Sequence, residues 1–301
     1  MSEFSCVNAG ALSYKACNKL VVAAKKILVL MFALSVLLLN FAPCAQAAGT
    51  SKKSKGDAEL QYQTKDGFMI NATLGFPKEK RDKYPLVVLL HSIGYSSAYW
   101  CSVKDDFKKA GFAVLAIDFR GHGKSIYTAN FHKRTWMYLP NKSFEKYPSD
   151  VQGMIKYVAD NNKNVSLKNI VIVGGDVGAN TAIIAASQMK IKPKALVLLS
   201  PSVRFKGLYT PICLADLGAV PILTIVSAKD PYSKSQAYYL KRFAQGAFSV
   251  KVYPNGGAGM LMLKVNKSMS VDIVNWVVMR FNSMATPGSK AKPKAKPAKK
   301  K

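Results

Sequence analysis

At 301 residues, 49% hydrophobic and 20% charged, the chain has the length of one domain of about 200–250 residues plus extensions, and it is too apolar to be a disordered chain. Its formal charge of +28 disfavours cationic partners and favours anionic ones: acidic lipid, cell-envelope polymer or nucleic acid. Five cysteines without Cys-x-x-Cys spacing and only three histidines argue against a structural zinc site, and no metal or cofactor is implied.

The N-terminus carries the marks of an export signal. Lys25 and Lys26 precede an uncharged apolar run from Ile27 to Leu39, and Ala45-Gln46-Ala47 supplies small residues where a signal peptidase reads. The run is short for a membrane span of about 20 residues. A cleaved signal over residues 1–47 is expected, placing the protein in the periplasm or outside the cell. An uncleaved anchor and a lipid-modified Cys44 are the alternatives. Cys6, Cys17 and Cys44 leave with the signal. Cys101 and Cys213 then remain, read as buried free thiols, with pairing as the alternative in an oxidising compartment.

Residues 48–57 form a polar linker, and a domain is expected over 58–284. Residues 58–64 and 68–76 read as strands joined by Lys65-Asp66-Gly67, a hairpin turn. Tyr84-Pro85 opens Leu-Val-Val-Leu-Leu, a run typical of a strand buried on both faces. A helix over 97–110 ends at Gly111, and the next buried strand runs to Asp118. The rhythm continues with a helix over 148–160, a strand over 169–173, a small-residue helix over 178–190 and strands over 195–199 and 221–226. It closes with a helix over 232–245, a strand over 248–253 and a helix over 268–281. The pattern predicts an α/β fold: a mostly parallel sheet of about eight strands, the first pair antiparallel, with helices on both faces. The tail from 285 to 301, with seven lysines between Lys290 and Lys301 and no acid, buries nothing and is expected to be disordered. Residues 57–288 still hold 30 Lys and Arg against 15 Asp and Glu.

Four stretches together resemble the α/β-hydrolase superfamily, in its capless, esterase- or dienelactone-hydrolase-like form. Leu89-Leu90-His91-Ser92-Ile93-Gly94 is similar to the strand end that supplies one oxyanion-hole amide. Asp118-Phe119-Arg120-Gly121-His122-Gly123-Lys124-Ser125 resembles the family's Asp-x-Arg-Gly-x-Gly-x-Ser turn. Ile170–Gly178 is similar to the strand and turn of the nucleophile elbow, and Pro221–Asp230 to the strand that delivers the acid. The resemblance implies a catalytic order of nucleophile, acid and late histidine. Here those positions hold Asp176, Asp230 and Ala258, so the triad is degenerate. The implied oxyanion amides are those of Ile93 and Val177.

Two readings of Asp176 stay open. It precedes a helix, where a carboxylate can cap the first amides and lie favourably against the dipole. It can also be a nucleophile, since Gly-Gly-Asp-Val-Gly-Ala is similar to the elbow of epoxide hydrolases and haloalkane dehalogenases. Those families imply a water-activating histidine and a large cap, whereas residues 203–220 offer only 18 positions. Asn255 is no general base near neutral pH. His91 and His122 are pocket candidates. His132 falls in an irregular stretch that can cover a site. Tyr95, Tyr99, Trp100, Trp136, Tyr138, Phe144, Phe205 and Tyr209 are candidates to line an apolar cavity, with ordinary packing as the other reading.

These observations point to an exported hydrolase-fold protein without the Ser and His of the triad, a non-catalytic binder of a small apolar or ester-like ligand. One alternative is an active hydrolase using Asp176, Asp230 and an early histidine. Another is a protein that holds anionic envelope polymer or lipid through residues 290–301. That tail has no aromatic or base-reading motif, which argues against nucleic acid.

Overall fold

The computed structural model describes residues 56–285. The expected signal (1–47), nearly all of the linker and the tail from residue 286 lie outside the described residues.

Among the described residues, eight strands form one sheet. They are β1 (Ala58–Gln63), β2 (Met69–Gly75), β3 (Tyr84–Leu90), β4 (Ala113–Ile117), β5 (Val165–Gly175), β6 (Ala195–Leu199), β9 (Ile222–Ser227) and β10 (Phe248–Tyr253). A small hairpin of β7 (Arg204–Phe205) and β8 (Leu208–Tyr209) stands apart. The sheet order is β1-β2-β4-β3-β5-β6-β9-β10. β2 is antiparallel to both β1 and β4, and every other pairing is parallel.

The central strands are apolar at nearly every position because both faces are covered. Their side chains alternate between two cores. Leu86, Val88 and Leu90 face one core with Leu115, Ile172 and Leu198. Val87 and Leu89 face the other with Val114, Val173 and Val197. The helices are α1 (Cys101–Lys109), α2 (Asn141–Phe144), α3 (Tyr147–Asn161), α4 (Val177–Gln188), α5 (Pro211–Ala215), α6 (Pro231–Lys241), α7 (Leu261–Val265) and α8 (Met269–Ala285). α3 and α4 cover the first core, through Val151, Met154 and Ile183. α1 and α8 cover the second, through Val103, Phe107, Ile273 and Val277. α4 is buried from Val177 through Ala186, which its alanines, glycine and threonine permit.

Differences from the expected elements lie at boundaries and insertions. The helix expected over 97–110 begins as a 3₁₀ turn at Ser97–Trp100. The strand expected over 169–173 extends back to Val165 across an irregularity opposite Pro85 and Leu86. The short elements β7, β8, α2, α5 and α7 have too few residues to show a period. The 203–220 stretch holds only the β7–β8 hairpin and α5. Buried Asn180 on α4 pins it, accepting from Ser202 N–H at 2.9 Å and donating to the Leu208 carbonyl. The cysteines correct another expectation: both are free, but Cys101 is exposed and Cys213 half-buried.

The Asp118–Ser125 turn is a folding device. Asp118 accepts from Ser97 N–H at 2.6 Å and from Lys124 N–H at 2.9 Å. Ser125 Oγ donates to the Asp118 carbonyl and accepts from Asn71 N–H. Arg120 is 3% exposed and grips Asp150, also 3% exposed, through two bonds of 2.6 Å. It reaches Asp66 at 2.8 Å, and Lys146 joins Asp66 at 2.7 Å. Those hydrogen bonds, Arg120's foremost, hold the Asp66 carboxyl well below the usual carboxylate range. Removing one partner of a buried ion pair strands the other. Arg120→Met is therefore expected to lower unfolding free energy by about 3–5 kcal/mol, read from the denaturant midpoint. Lys156→Ala, which breaks the exposed pair with Asp160, should cost no more than about 1 kcal/mol.

Candidate functional site

β5 ends at Gly175 and α4 begins at Val177, so Asp176 alone makes the turn. Its backbone has φ 53° and ψ −114°, a strained combination for a residue with a Cβ. Small neighbours make it tolerable. A Cβ on Gly178 would stand 2.4 Å from the Leu90 carbonyl oxygen, so only glycine lets α4 approach the end of β3.

The Asp176 side chain makes no capping bond to its helix, which corrects the helix-cap reading. Oδ2 instead accepts from Ile93 N–H at 3.3 Å, and the nearby Val177 amide helps to stabilise the charged form. These are the two amides expected as an oxyanion pair. Burial raises the carboxyl's pKa, the two amides pull it back, and the charge of Asp230 pushes it up again.

Asp230 heads α6. Its Oδ1 accepts from Ser233 N–H at 3.0 Å, while Oδ2 is buried with no hydrogen-bond partner among the described residues. Such an orphaned acceptor is uncommon, because leaving it unmade forfeits its hydration.

Ala258 lies in the turn between β10 and α7, and its neighbours are fastened on both sides of the elbow. Gly259 N–H donates to Ser200 Oγ at 2.9 Å, and Met260 N–H donates to Ser92 Oγ at 3.1 Å. Gly259, at φ 54°, passes so close that an added Cβ would lie 3.1 Å from the Cβ of Asp176. The turn thus runs against the elbow, and residue 258 brings to it only a methyl group.

Neither early imidazole hydrogen-bonds Asp176. His91 is completely buried, with Nδ1 bonded to the Ser92 carbonyl at 2.8 Å and Nε2 accepting from Phe119 N–H at 3.0 Å. His122, 2% exposed, accepts from Gly94 N–H at 3.1 Å through Nε2 and bonds the Arg120 carbonyl through Nδ1. Both nitrogens of both rings, the pocket candidates of the sequence, are engaged with backbone atoms. They act as struts that fix the Ser92–Gly94 segment and with it the Ile93 amide. His132 is exposed on a surface turn.

The expected aromatic cavity is not a single feature. Trp100 and Phe144 are core residues, while Tyr138 is 85% exposed. A cavity of about 450 Å³ is lined by Lys133, Arg134, Thr135, Tyr138 and Leu139, and by none of Ile93, Asp176, Val177, Asp230 or Ala258. Among the described residues no group of three or more His, Cys, Asp or Glu could hold a metal ion. Ser92 and Ser200, which anchor the late turn, are unmarked in the sequence. A serine after a buried strand carries no sign of which distant amide it will meet.

A mostly parallel sheet with a strained turn at the end of its fifth strand, two amides converging on the side chain there, and an acid and a glycine-rich turn following in sequence defines an α/β-hydrolase fold. The profile of the family described as serine aminopeptidase, S33, matches residues 82–229. The chain superimposes on dienelactone hydrolase from Anabaena variabilis with a TM-score of 0.57 and 15% identity, covering 76% of this chain and 98% of that one. Est1E from Butyrivibrio proteoclasticus gives 0.55 and 17% over 75% and 99% of the two chains. The 2,6-dihydroxy-pseudo-oxynicotine hydrolase gives 0.61 and 11% over 76% and 69%. No curated protein matches the sequence. The matched profile spans 148 of the 301 residues, just under half, and the solved structures show that the chain has the α/β-hydrolase fold.

The struts make stability depend on pH. Burial pushes His91 from 6.5 down to about 4, against the pull of its Ser92 bond. Burial, then the neighbouring His91, pushes His122 down to about 3. Below pH 6.5 the unfolded chain therefore binds protons that the folded chain refuses. Stability should fall as pH drops from 6.5 toward 4, by a few kcal/mol on the order set by such shifts. Denaturant midpoints across that range check this, and His91→Gln and His122→Gln should each flatten the slope.

Proposed function

We propose that this chain is an exported, non-catalytic α/β-hydrolase-fold protein that binds a small apolar or ester-like ligand. The observation that carries this reading is the bond from the Ile93 amide to Asp176 Oδ2. A hydrolase of this fold needs those donors free for the oxyanion that develops on a substrate carbonyl. Here a resident carboxylate takes them, and a second negative charge arriving there would be repelled. Proton transfer fails as well, because Ala258 supplies no base and the early imidazoles are neutral and fully bonded. Loss of triad members costs roughly a million-fold in turnover, and what remains in such cases comes from the oxyanion hole and substrate binding. The first of those is filled in this chain. The orphaned Oδ2 of Asp230 fits the same account: it is the acceptor a late imidazole N–H would take.

One feature supports a second reading, an active hydrolase with Asp176 as nucleophile. The strained elbow holds one carboxylate oxygen on the Ile93 amide, which orients the carboxylate for attack. Asp230 would then be the second carboxylate, although neither His91 nor His122 has a nitrogen free to assist.

The two readings part on a chromogenic acetate ester. Under the first, the wild-type chain gives the buffer rate, and the double change Asp176→Ser with Ala258→His brings measurable ester cleavage. Wild-type turnover that Asp176→Asn abolishes would establish the second reading and sink the first. The lysine tail, whose structure lies outside the described residues, is proposed to add attachment to anionic envelope polymer. Deleting residues 289–301 should weaken retention on a polyanion column and flatten its salt dependence, since each lysine–anion contact contributes about 0.7–0.9 to the logarithmic slope on nucleic acid, the best calibrated polyanion.

A further inference from the structure

The excursion over residues 126–140, beyond the His122 strut, supplies no side chain to the elbow, yet it is built with care. Its base is tied down: Met69 N–H donates to Tyr127 O at 3.0 Å, and Ala129 N–H to Gly67 O at 2.7 Å. The chain then doubles back, with Thr128 N–H donating to His132 O and Arg134 N–H to Ile126 O. Trp136 stacks on His122 at 5.5 Å, and its N–H donates to Gly121 O. On this fixed base stand three large side chains left mostly exposed. Phe131 is 87% exposed, Tyr138 85% and Met137 63%. Phe131 sits at the bend with φ 60°, a left-handed conformation that glycine or asparagine would adopt more cheaply.

The charges around these residues are of one sign. No Asp or Glu occurs between Asp118 and Glu145. Lys133, Arg134 and Lys142 are exposed and form no ion pair among the described residues. Lys133, Arg134 and Tyr138 meet in the cavity of about 450 Å³, with Thr135 and Leu139 completing it.

We propose that this surface docks on a bilayer containing anionic phospholipid, with Phe131, Met137 and Tyr138 entering the interface and the Lys133–Arg134 cavity receiving a phosphate-bearing headgroup. Aromatic side chains favour the headgroup boundary, and apolar tips flanked by cations combine burial with attraction to acidic lipid. The geometry favours a bilayer over single-stranded nucleic acid, which stacks its bases along aromatics lining a groove. Phe131 instead stands at the end of a turn.

The test uses the full chain and its variants, first checked for an unchanged thermal transition. Sedimentation is measured with phosphatidylcholine vesicles, with and without about one third phosphatidylglycerol, at about 0.15 M salt. Wild type should bind the anionic vesicles only. K133Q/R134Q should reduce partitioning roughly 25-fold, taking a factor of about five per cation near the surface. F131S/Y138S should reduce it roughly tenfold or more while leaving the salt dependence unchanged. K264Q/K267Q, exposed lysines elsewhere, should bind like wild type. The proposal is overturned if wild type ignores anionic vesicles, if both surface variants bind normally, or if K264Q/K267Q loses as much as K133Q/R134Q. It is also overturned if only the charge variant loses binding and loses it equally toward an oligonucleotide, which would make the surface a general anion site.

Discussion

Asp176 occupies a backbone conformation that the chain accepts only because its surroundings leave no alternative. The buried face of β3 and the small-residue helix α4 close on the turn, and Gly178 removes the side chain that would keep them apart. Once the turn is set, the carboxylate has one place to go. It lies beside the amides of Ile93 and Val177, which face inward for the same packing reason. The contact is a product of the fold rather than of any added device. It places a buried carboxyl where the main-chain N–H groups at the ends of two strands converge.

Around the turn, groups that are catalytic in other settings serve as fasteners. Two imidazoles held neutral by burial spend all four ring nitrogens on backbone atoms, and so set the strand end that carries Ile93. Two serines hold the glycine-rich turn after β10 in place. The buried guanidinium of Arg120 draws carboxylates from two elements together. Reactive side chains are thus plentiful within a short radius, and almost every lone pair or proton among them is committed. Among the described residues, one oxygen of Asp230 is buried without a partner, as are Trp100 Nε1 and Thr224 Oγ1.

Much of this was legible in the sequence. Continuous apolar runs marked the doubly covered strands, because a residue buried on either face has the same preference. Two of the four short motifs mark structural breaks that the fold shows, the one-residue turn at Asp176 and the end of the strand before Asp230. The absence of histidine after residue 132 is a fact of composition that no fold can change. What could not be read depends on distance in space. Nothing near His91 says that its two nitrogens will meet the carbonyl of the next residue and the amide of Phe119. Nothing near Asp176 says that its carboxylate will turn from the helix it precedes toward an amide 83 positions earlier. Exposure was equally hidden: Trp100 and Tyr138 look alike as letters, yet one is core and the other faces water.

The turn after β10 carries a wider implication. Serine hydroxyls and glycine backbones hold it on either side of residue 258, and none of those bonds involves the side chain at 258 itself. The identity of that side chain is therefore nearly independent of whether the protein folds. A larger side chain can replace the methyl there with little penalty in stability, so the architecture does not dictate which residue stands at that point.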